Sequence, residues 1–196
     1  MMKKVNIALN NRDIASLKEF KGKKVLALEA PFLNSEAYIG KCRFIMNDGG
    51  ISVDTTEKVV ALEENGVYEE FLKMSINPDS NAMCSDFTDA RVLKTSLEIE
   101  VESVRILNFQ VFALKQKQKI TEFMYTHAIE ISSKSRSLII GVGATIGRVM
   151  FLYYDKKIET LIDCEIEKWA SVESSETCIS EDNLIYKIKD SILDVF

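Results

Sequence analysis

The chain has little of what shapes many recognisable active sites. It has one histidine (His127), one tryptophan (Trp169), two prolines (Pro31 and Pro78) and eight glycines in 196 residues. With a single histidine, every Ser-His-Asp, Cys-His or histidine-metal mechanism would have to run through His127. Its four cysteines, Cys42, Cys84, Cys164 and Cys178, form no CxxC pair. Structural zinc sites usually take two ligands from one tight turn, and disulfide scaffolds are far denser in cysteine. Reduced, mostly buried thiols in a cytoplasmic protein are the expectation. No apolar run approaches the ~18 residues of a membrane-spanning helix, and the start lacks the apolar core of a signal peptide. A formal net charge of −5 argues against general nucleic-acid binding, which needs a basic footprint. No Gly-Lys-Ser/Thr occurs, so a P-loop is excluded, and no cofactor is implied. Residues 79–90 fail as a calcium loop: Cys84 stands where glycine is required and Ala90 where glutamate is required.

What is present is alternation. Hydrophobic residues make up 46% and charged residues 28%, an ordinary globular balance. Phe44, Met46, Ile51 and Val53 flank Asn47-Asp48-Gly49-Gly50. A turn at Asp48-Gly49 would pair Met46 with Ile51 and Phe44 with Val53 on one face. Asn65-Gly66 offers a second turn, in competition with a short helix over 56–65 closed by Gly66. Leu97, Ile99, Val101, Ser103, Arg105, Leu107, Phe109, Val111 and Ala113 share one parity; Glu98, Glu100 and Glu102 take the other. Seventeen residues would span roughly 56 Å, too long for one strand, so a bend or break is expected near 103–105. Residues 115–119 read as an exposed tip. The return strand puts Phe123, Tyr125, His127, Ile129 and Ile131 on one face, and His127 reads there as a core or rim residue. Residues 132–137 form another turn. Over 158–167 a strand is expected, with Glu159, Asp163, Glu165 and Glu167 outward and Ile162, Cys164 and Ile166 inward. Helices are expected over 13–20, with Ile14 and Leu17 on the apolar side, and after Ser180, where Leu184, Ile185, Ile188, Ile192 and Val195 recur at helical spacing.

The fold class this implies is mainly β: curved antiparallel sheets in a sandwich or partly open barrel, with one or two peripheral helices. One domain over 1–196 is expected, with the loop 77–90 as the candidate lobe boundary.

Two sites suggest themselves. Gly141-Val142-Gly143-Ala144-Thr145-Ile146-Gly147 follows an apolar run, and a glycine loop after a strand lets backbone N–H groups approach a phosphate. Gly141, Gly143 and Gly147, with Arg148, Lys134 and Arg136, would make a phosphate-type or nucleotide site. Ile146 breaks the dinucleotide fingerprint, and a glycine-permitted turn between strands is the plainer reading. The second site is charge. Residues 1–24 carry seven Lys/Arg against two Asp/Glu, a net +5; residues 155–196 carry five against eleven, a net −6. The ends can attract each other within one chain, meet head to tail between copies, or leave Glu159, Asp163, Glu165 and Glu167 facing a basic partner.

The functional expectation is a non-catalytic protein-binding module, such as an inhibitor, an immunity-type protein or an assembly subunit. It would recognise another protein, one with a basic surface, through a β surface and its acidic C-terminal region. No nucleic acid or membrane partner is expected. The alternatives are a phosphorylated-small-molecule or nucleotide-binding enzyme or sensor, and a structural homo-oligomer.

Overall fold

Two apolar faces on one strand and one on the next oblige these segments to stack as sheets, and two sheets are what form. The computed structural model describes residues 2–32, 41–61, 68–78, 91–143, 150–174 and 184–196. In chain order these are β1 (Lys3–Asn6), α1 (Asn11–Lys18), β2 (Lys24–Phe32), β3 (Lys41–Met46), β4 (Gly49–Ala61), β5 (Tyr68–Pro78) and β6 (Arg91–Glu100). Then follow β7 (Ser103–Lys115), β8 (Gln118–Ser132), β9 (Ser137–Val142), β10 (Met150–Tyr154), α2 (Thr160–Ser174) and β11 (Leu184–Asp194). The chain is mainly β; the described residues form two sheets and two helices, and among them neither sheet closes into a barrel. Sheet A runs β10-β9-β8-β7-β11, all antiparallel, with β1 joining β8 in parallel. Sheet B runs β5-β4-β3-β2-β6, also antiparallel.

The 97–113 run breaks close to where its length requires. Val101 and Glu102 separate β6 from β7, so the chain changes sheets there. Elements on both sides of the loop 77–90 belong to sheet B; residues 79–90 lie outside the described residues. The hairpin β7–β8 turns at Gln116-Lys117, both at positive φ (50° and 66°), the conformation of a two-residue type I′ connection. Leu107, Phe109, Val111, Phe123 and Tyr125 are all buried, as expected.

The hairpin β3–β4 keeps the expected face and shifts its pairing. Phe44 opposes Ile51 and Cys42 opposes Val53, so the turn is Asn47-Asp48. Glycine's freedom is used at Gly49, the first residue of the return strand, whose φ is +144°. A shift of two preserves parity, so Phe44, Met46, Ile51 and Val53 all remain buried. β4 continues as strand through Ala61, so the short helix over 56–65 does not form over its described part. Residues 62–67 lie outside the described residues.

Two further expectations are corrected. Residues 160–174 form α2, not a strand. Alternation and helical spacing coincide at i and i+4, and burial decides between them: Leu161, Glu165 and Trp169 are buried while Asp163, Cys164, Ile166 and Glu167 are exposed. The C-terminal segment is strand β11, not a helix. The same i, i+4 ambiguity applies to Ile188 and Ile192. The β7 edge supplies an 11-residue ladder of partners from Leu184↔Lys115 to Asp194↔Arg105. α1 forms two residues earlier than expected. Asn10 caps it, Asp13 closes a capping box, and the Asp13 carboxylate also accepts from the Ile76 N–H of β5 at 2.9 Å.

The two sheets pack over one core containing Val25, Leu28, Phe44, Ile51 and Met74 from sheet B and Val104, Ile106, Ile129, Ile131 and Ile140 from sheet A. A second core lies on sheet A under α2: Leu107, Phe109, Val111, Phe123, Tyr125, Ala128, Ile139, Leu161 and Trp169, joined by Val60 and Phe71 from β4 and β5. One strand feeds both cores through a bulge. Leu107 opposes Ala128 and Asn108 opposes Thr126, leaving His127 as the extra residue. The bulge reverses the parity, so Phe123 and Tyr125 serve the second core while Ile129 and Ile131 serve the first. The single face predicted for Phe123 to Ile131 is therefore two faces.

Candidate functional site

The seam between α2 and sheet A concentrates the ionisable groups. At one end Arg105 of β7 meets two carboxylates. Its Nε donates to Glu130 Oε2 at 2.6 Å, and its terminal nitrogens pair with Glu130 and with Glu159. Glu130 is 2% exposed, and burial pushes its carboxyl above the usual range despite the Arg105 charge. Glu159 is held below that range by its Arg105 hydrogen bond. In the middle of the seam Trp169 Nε1 donates to Tyr125 Oη at 3.1 Å, and Tyr125 Oη donates to Glu165 Oε1 at 2.9 Å. His127 Nδ1 lies 3.8 Å from the same Glu165 oxygen. Glu165 is 0% exposed and His127 1%. Burial, followed by the Glu165 charge, pushes the Tyr125 hydroxyl well above the usual tyrosine range. Phe71, Phe109, Phe123 and Phe151 surround this chain of polar groups. The bonds of Tyr125 to Glu165 and Trp169 fasten α2 to the sheet.

Of the residues expected to bind phosphate, the described ones are not drawn into one loop. Gly141 lies within β9 opposite Phe151, and a Cβ there would stand 2.1 Å from the Phe151 ring. That glycine exists to seat an aromatic ring across the ladder. Gly143 lies just past β9, and Gly147 and Arg148 lie outside the described residues. Lys134 and Arg136 belong to the β8–β9 turn, at the opposite end of β9; five residues separate Arg136 from Gly141, about 17 Å of strand. Arg136 donates to the Leu97 carbonyl at 2.7 Å, joining sheet A to sheet B. Lys134 pairs with Glu102 at 3.7 Å.

The acidic set also divides. Glu165 is buried, so one of the four carboxylates expected outward is not; Glu159 is exposed and bound to Arg105. Asp163 and Glu167, one turn apart on α2, are exposed. Cys164 and Ile166, expected inward, are exposed. The basic end does not meet the acidic end in the ion pairs of Lys4, Lys23 and Lys24, which run to Glu122, Asp48 and Glu98. Lys21 does lie over the Phe196 ring.

Beside α2 is β11, the outer strand of sheet A. Its ladder with β7 has no register shift. Val195 N–H donates to the Val104 carbonyl at 2.9 Å. Counting back along the alternating ladder, Leu193, Ser191 and Lys189 turn their backbone groups to β7, and Asp194, Ile192 and Asp190 turn theirs outward. Asp190 and Asp194 share parity with Ile188 and Ile192, which pack toward the α2 core, and both aspartates are exposed. On the opposite face a groove of about 270 Å³ is lined by Asn108, Gln110, Met124, Lys189 and Ser191. Leu193 on that parity is 42% exposed. Sequence reasoning missed this groove because its residues, half-buried on β7 and β8 and exposed on β11, come from three strands brought together only by the sheet. The signal available was the polar pair Asn108 and Gln110 interrupting an apolar hairpin.

Among the described residues no cluster of three His, Cys, Asp or Glu is placed to hold a metal ion, and no helix is long and apolar enough to cross a membrane. No protein-family model, curated protein or solved structure matches the chain.

Proposed function

We propose that this chain is a non-catalytic protein-binding module that takes an extended, basic segment of a partner protein along the outer edge of β11. The observation that carries this reading is the edge itself. Eleven residues pair regularly with β7, and among the described residues no strand pairs with the other side. An open edge of that length offers backbone donors and acceptors for strand addition. Its α2 side is acidic through Asp163, Glu167, Asp190 and Asp194, which supports a basic partner. The groove on the other face gives alternate side chains of an added strand a second place to rest.

Two variants separate backbone pairing from charge. Asp190→Pro removes an outward N–H without touching the β7 ladder, and Asp190→Asn removes only the charge. With the partner recovered by pull-down of intact protein, Asp190→Pro abolishes capture while Asp190→Asn slows association a few-fold. Asp163→Lys with Glu167→Lys slows association several-fold at low salt, and the difference shrinks near 0.5 M, where the Debye length is about 4 Å. Capture by Asp190→Pro equal to wild type defeats the strand-addition reading.

A further inference from the structure

Residues directly opposite each other on neighbouring strands share a side of the sheet and interact in pairs. Along β11 the two sides carry opposite charge. Asp190 and Asp194 stand on the α2 side with Ile192 between them, and Lys189 stands on the groove side with Ser191 and Leu193. Lys189, Asp190, Ser191, Leu193 and Asp194 are exposed, and Ile192 is half-buried. Arg105, opposite Asp194 in the ladder, is already bound by Glu130 and Glu159, so carboxylates outnumber it there. On the groove side Glu122 is engaged by Gln110 at 2.6 Å and by Lys4 at 3.1 Å. A second copy of β11 answers this pattern poorly. A two-fold contact between two such edges is antiparallel and sets residues of the same side against each other, so an aspartate meets an aspartate or an apolar residue and never Lys189. Centred on Ile192, it would oppose Asp190 to Asp194 twice. Centred on Ser191, it would oppose Asp190 to Ile192 and Lys189 to Leu193. The edge is charged against its own copies, one way in which open edges avoid self-association.

We propose that β11 selects a strand of another protein whose charges are sorted by side: Lys or Arg at positions i and i+4 with an apolar residue at i+2, facing Asp190, Ile192 and Asp194, and an acidic residue on the alternate set, facing Lys189. The pattern rests on the strand-addition reading and adds to it what the added segment must carry. The two basic residues stand about 13 Å apart, the rise of four residues of strand. Set antiparallel against 189–194, the fitting order is Lys-Val-Val-Thr-Lys-Glu, with valine opposite Leu193, threonine opposite Ser191 and glutamate opposite Lys189. Net basic charge is not the recognition element. A lysine moved by one place turns from the aspartates to the side of Lys189 and loses its partner.

The probes are two capped peptides of one composition, Lys-Val-Val-Thr-Lys-Glu and Lys-Val-Val-Lys-Thr-Glu, which differ by the exchange of one lysine with the neighbouring threonine. In the first both lysines share a side; in the second they stand on opposite sides. Each is titrated to millimolar concentration into the intact, isotope-labelled chain at low salt, and the NMR signals of the β11 amides are followed. The first peptide moves the outward amides of Asp190, Ile192 and Asp194 and binds about threefold or more tighter than the second. Asp190→Asn with Asp194→Asn changes two exposed positions and keeps every outward N–H, and there the two peptides bind within about twofold of each other. Equal affinity of both peptides for wild type overturns the sorted-charge pattern and leaves strand addition standing. A preference that persists unchanged in the double variant overturns the pattern too. If neither peptide moves the β11 amides the pattern also falls, and strand addition is then decided separately by capture of the natural partner with Asp190→Pro. Light scattering of the whole chain gives the mass of one copy at low and high salt; a dimer that Asp190→Pro dissolves overturns the exclusion of a second copy from this edge.

Discussion

At the scale of single residues, the seam under α2 makes Tyr125 the side chain with most to lose. Its hydroxyl both accepts from Trp169 and donates to Glu165. Tyr125→Phe leaves a buried indole N–H and a buried carboxylate each one partner short, at a cost of about 1–3 kcal/mol. The pH dependence carries a sign. Burial and the Glu165 charge raise the folded-state value above the unfolded ~10, so the contribution is whole below pH ~10 and is lost as pH rises through the folded value. Urea denaturation at pH 8 and pH 10.5 checks this: wild type loses stability between the two, and Tyr125→Phe loses less. His127 and Gly141 differ in how far local pattern placed them. His127 lies where alternation placed it, in buried strand, whereas Gly141, read as the start of a loop or turn, lies inside strand β9. That one is a bulge and the other a socket for Phe151 depends on the neighbouring strands, which local sequence does not specify.

At the scale of elements, α2 is fastened by two large residues and a polar chain. Leu161 and Trp169 bury nearly all their surface against sheet A. Trp169→Ala should cost about 3–5 kcal/mol, as large-to-small core changes do. Asp163→Lys with Glu167→Lys on the outer face should stay within about 0.5 kcal/mol. Chemical denaturation monitored by circular dichroism distinguishes the two, and an equal loss would mean that α2 does not rest on Trp169. The element types were legible where the pattern was unambiguous. β7 and β8 were legible as strands because alternation ran through both, although the bulge at His127 reverses the face of β8; α1 was legible from Ile14 and Leu17, while its Asn10 cap and true start were not read. α2 and β11 were each assigned the other's structure. In both, apolar residues four apart satisfy period two and period 3.6 together, and propensity is too weak to choose. The choice was made by sheet A, which has an apolar face to be covered and an edge at β7 to be paired.

At the scale of the whole molecule, both sheets contribute to one core, and Arg136 adds a cross-sheet bond to Leu97. Unfolding in urea should therefore be cooperative, with Trp169 fluorescence and far-ultraviolet circular dichroism giving coincident transitions. Arg136→Ala should shift both together, by about 1 kcal/mol. Separated transitions would mean that the sheets fold as independent lobes. The sequence by itself determined the β class, the β7–β8 hairpin, the buried parity of the β3–β4 hairpin and the acidic balance of the C-terminal region, because alternation and composition are local properties of the chain. The tertiary structure alone decided that Glu165 is buried while Glu159, Asp163 and Glu167 are exposed, where β8 changes face, and that Gly141 stands toward one end of β9 with Lys134 and Arg136 before the other. Those depend on contacts between residues far apart in sequence, such as Glu165 with Tyr125 and Arg136 with Leu97, whose energies no local pattern encodes.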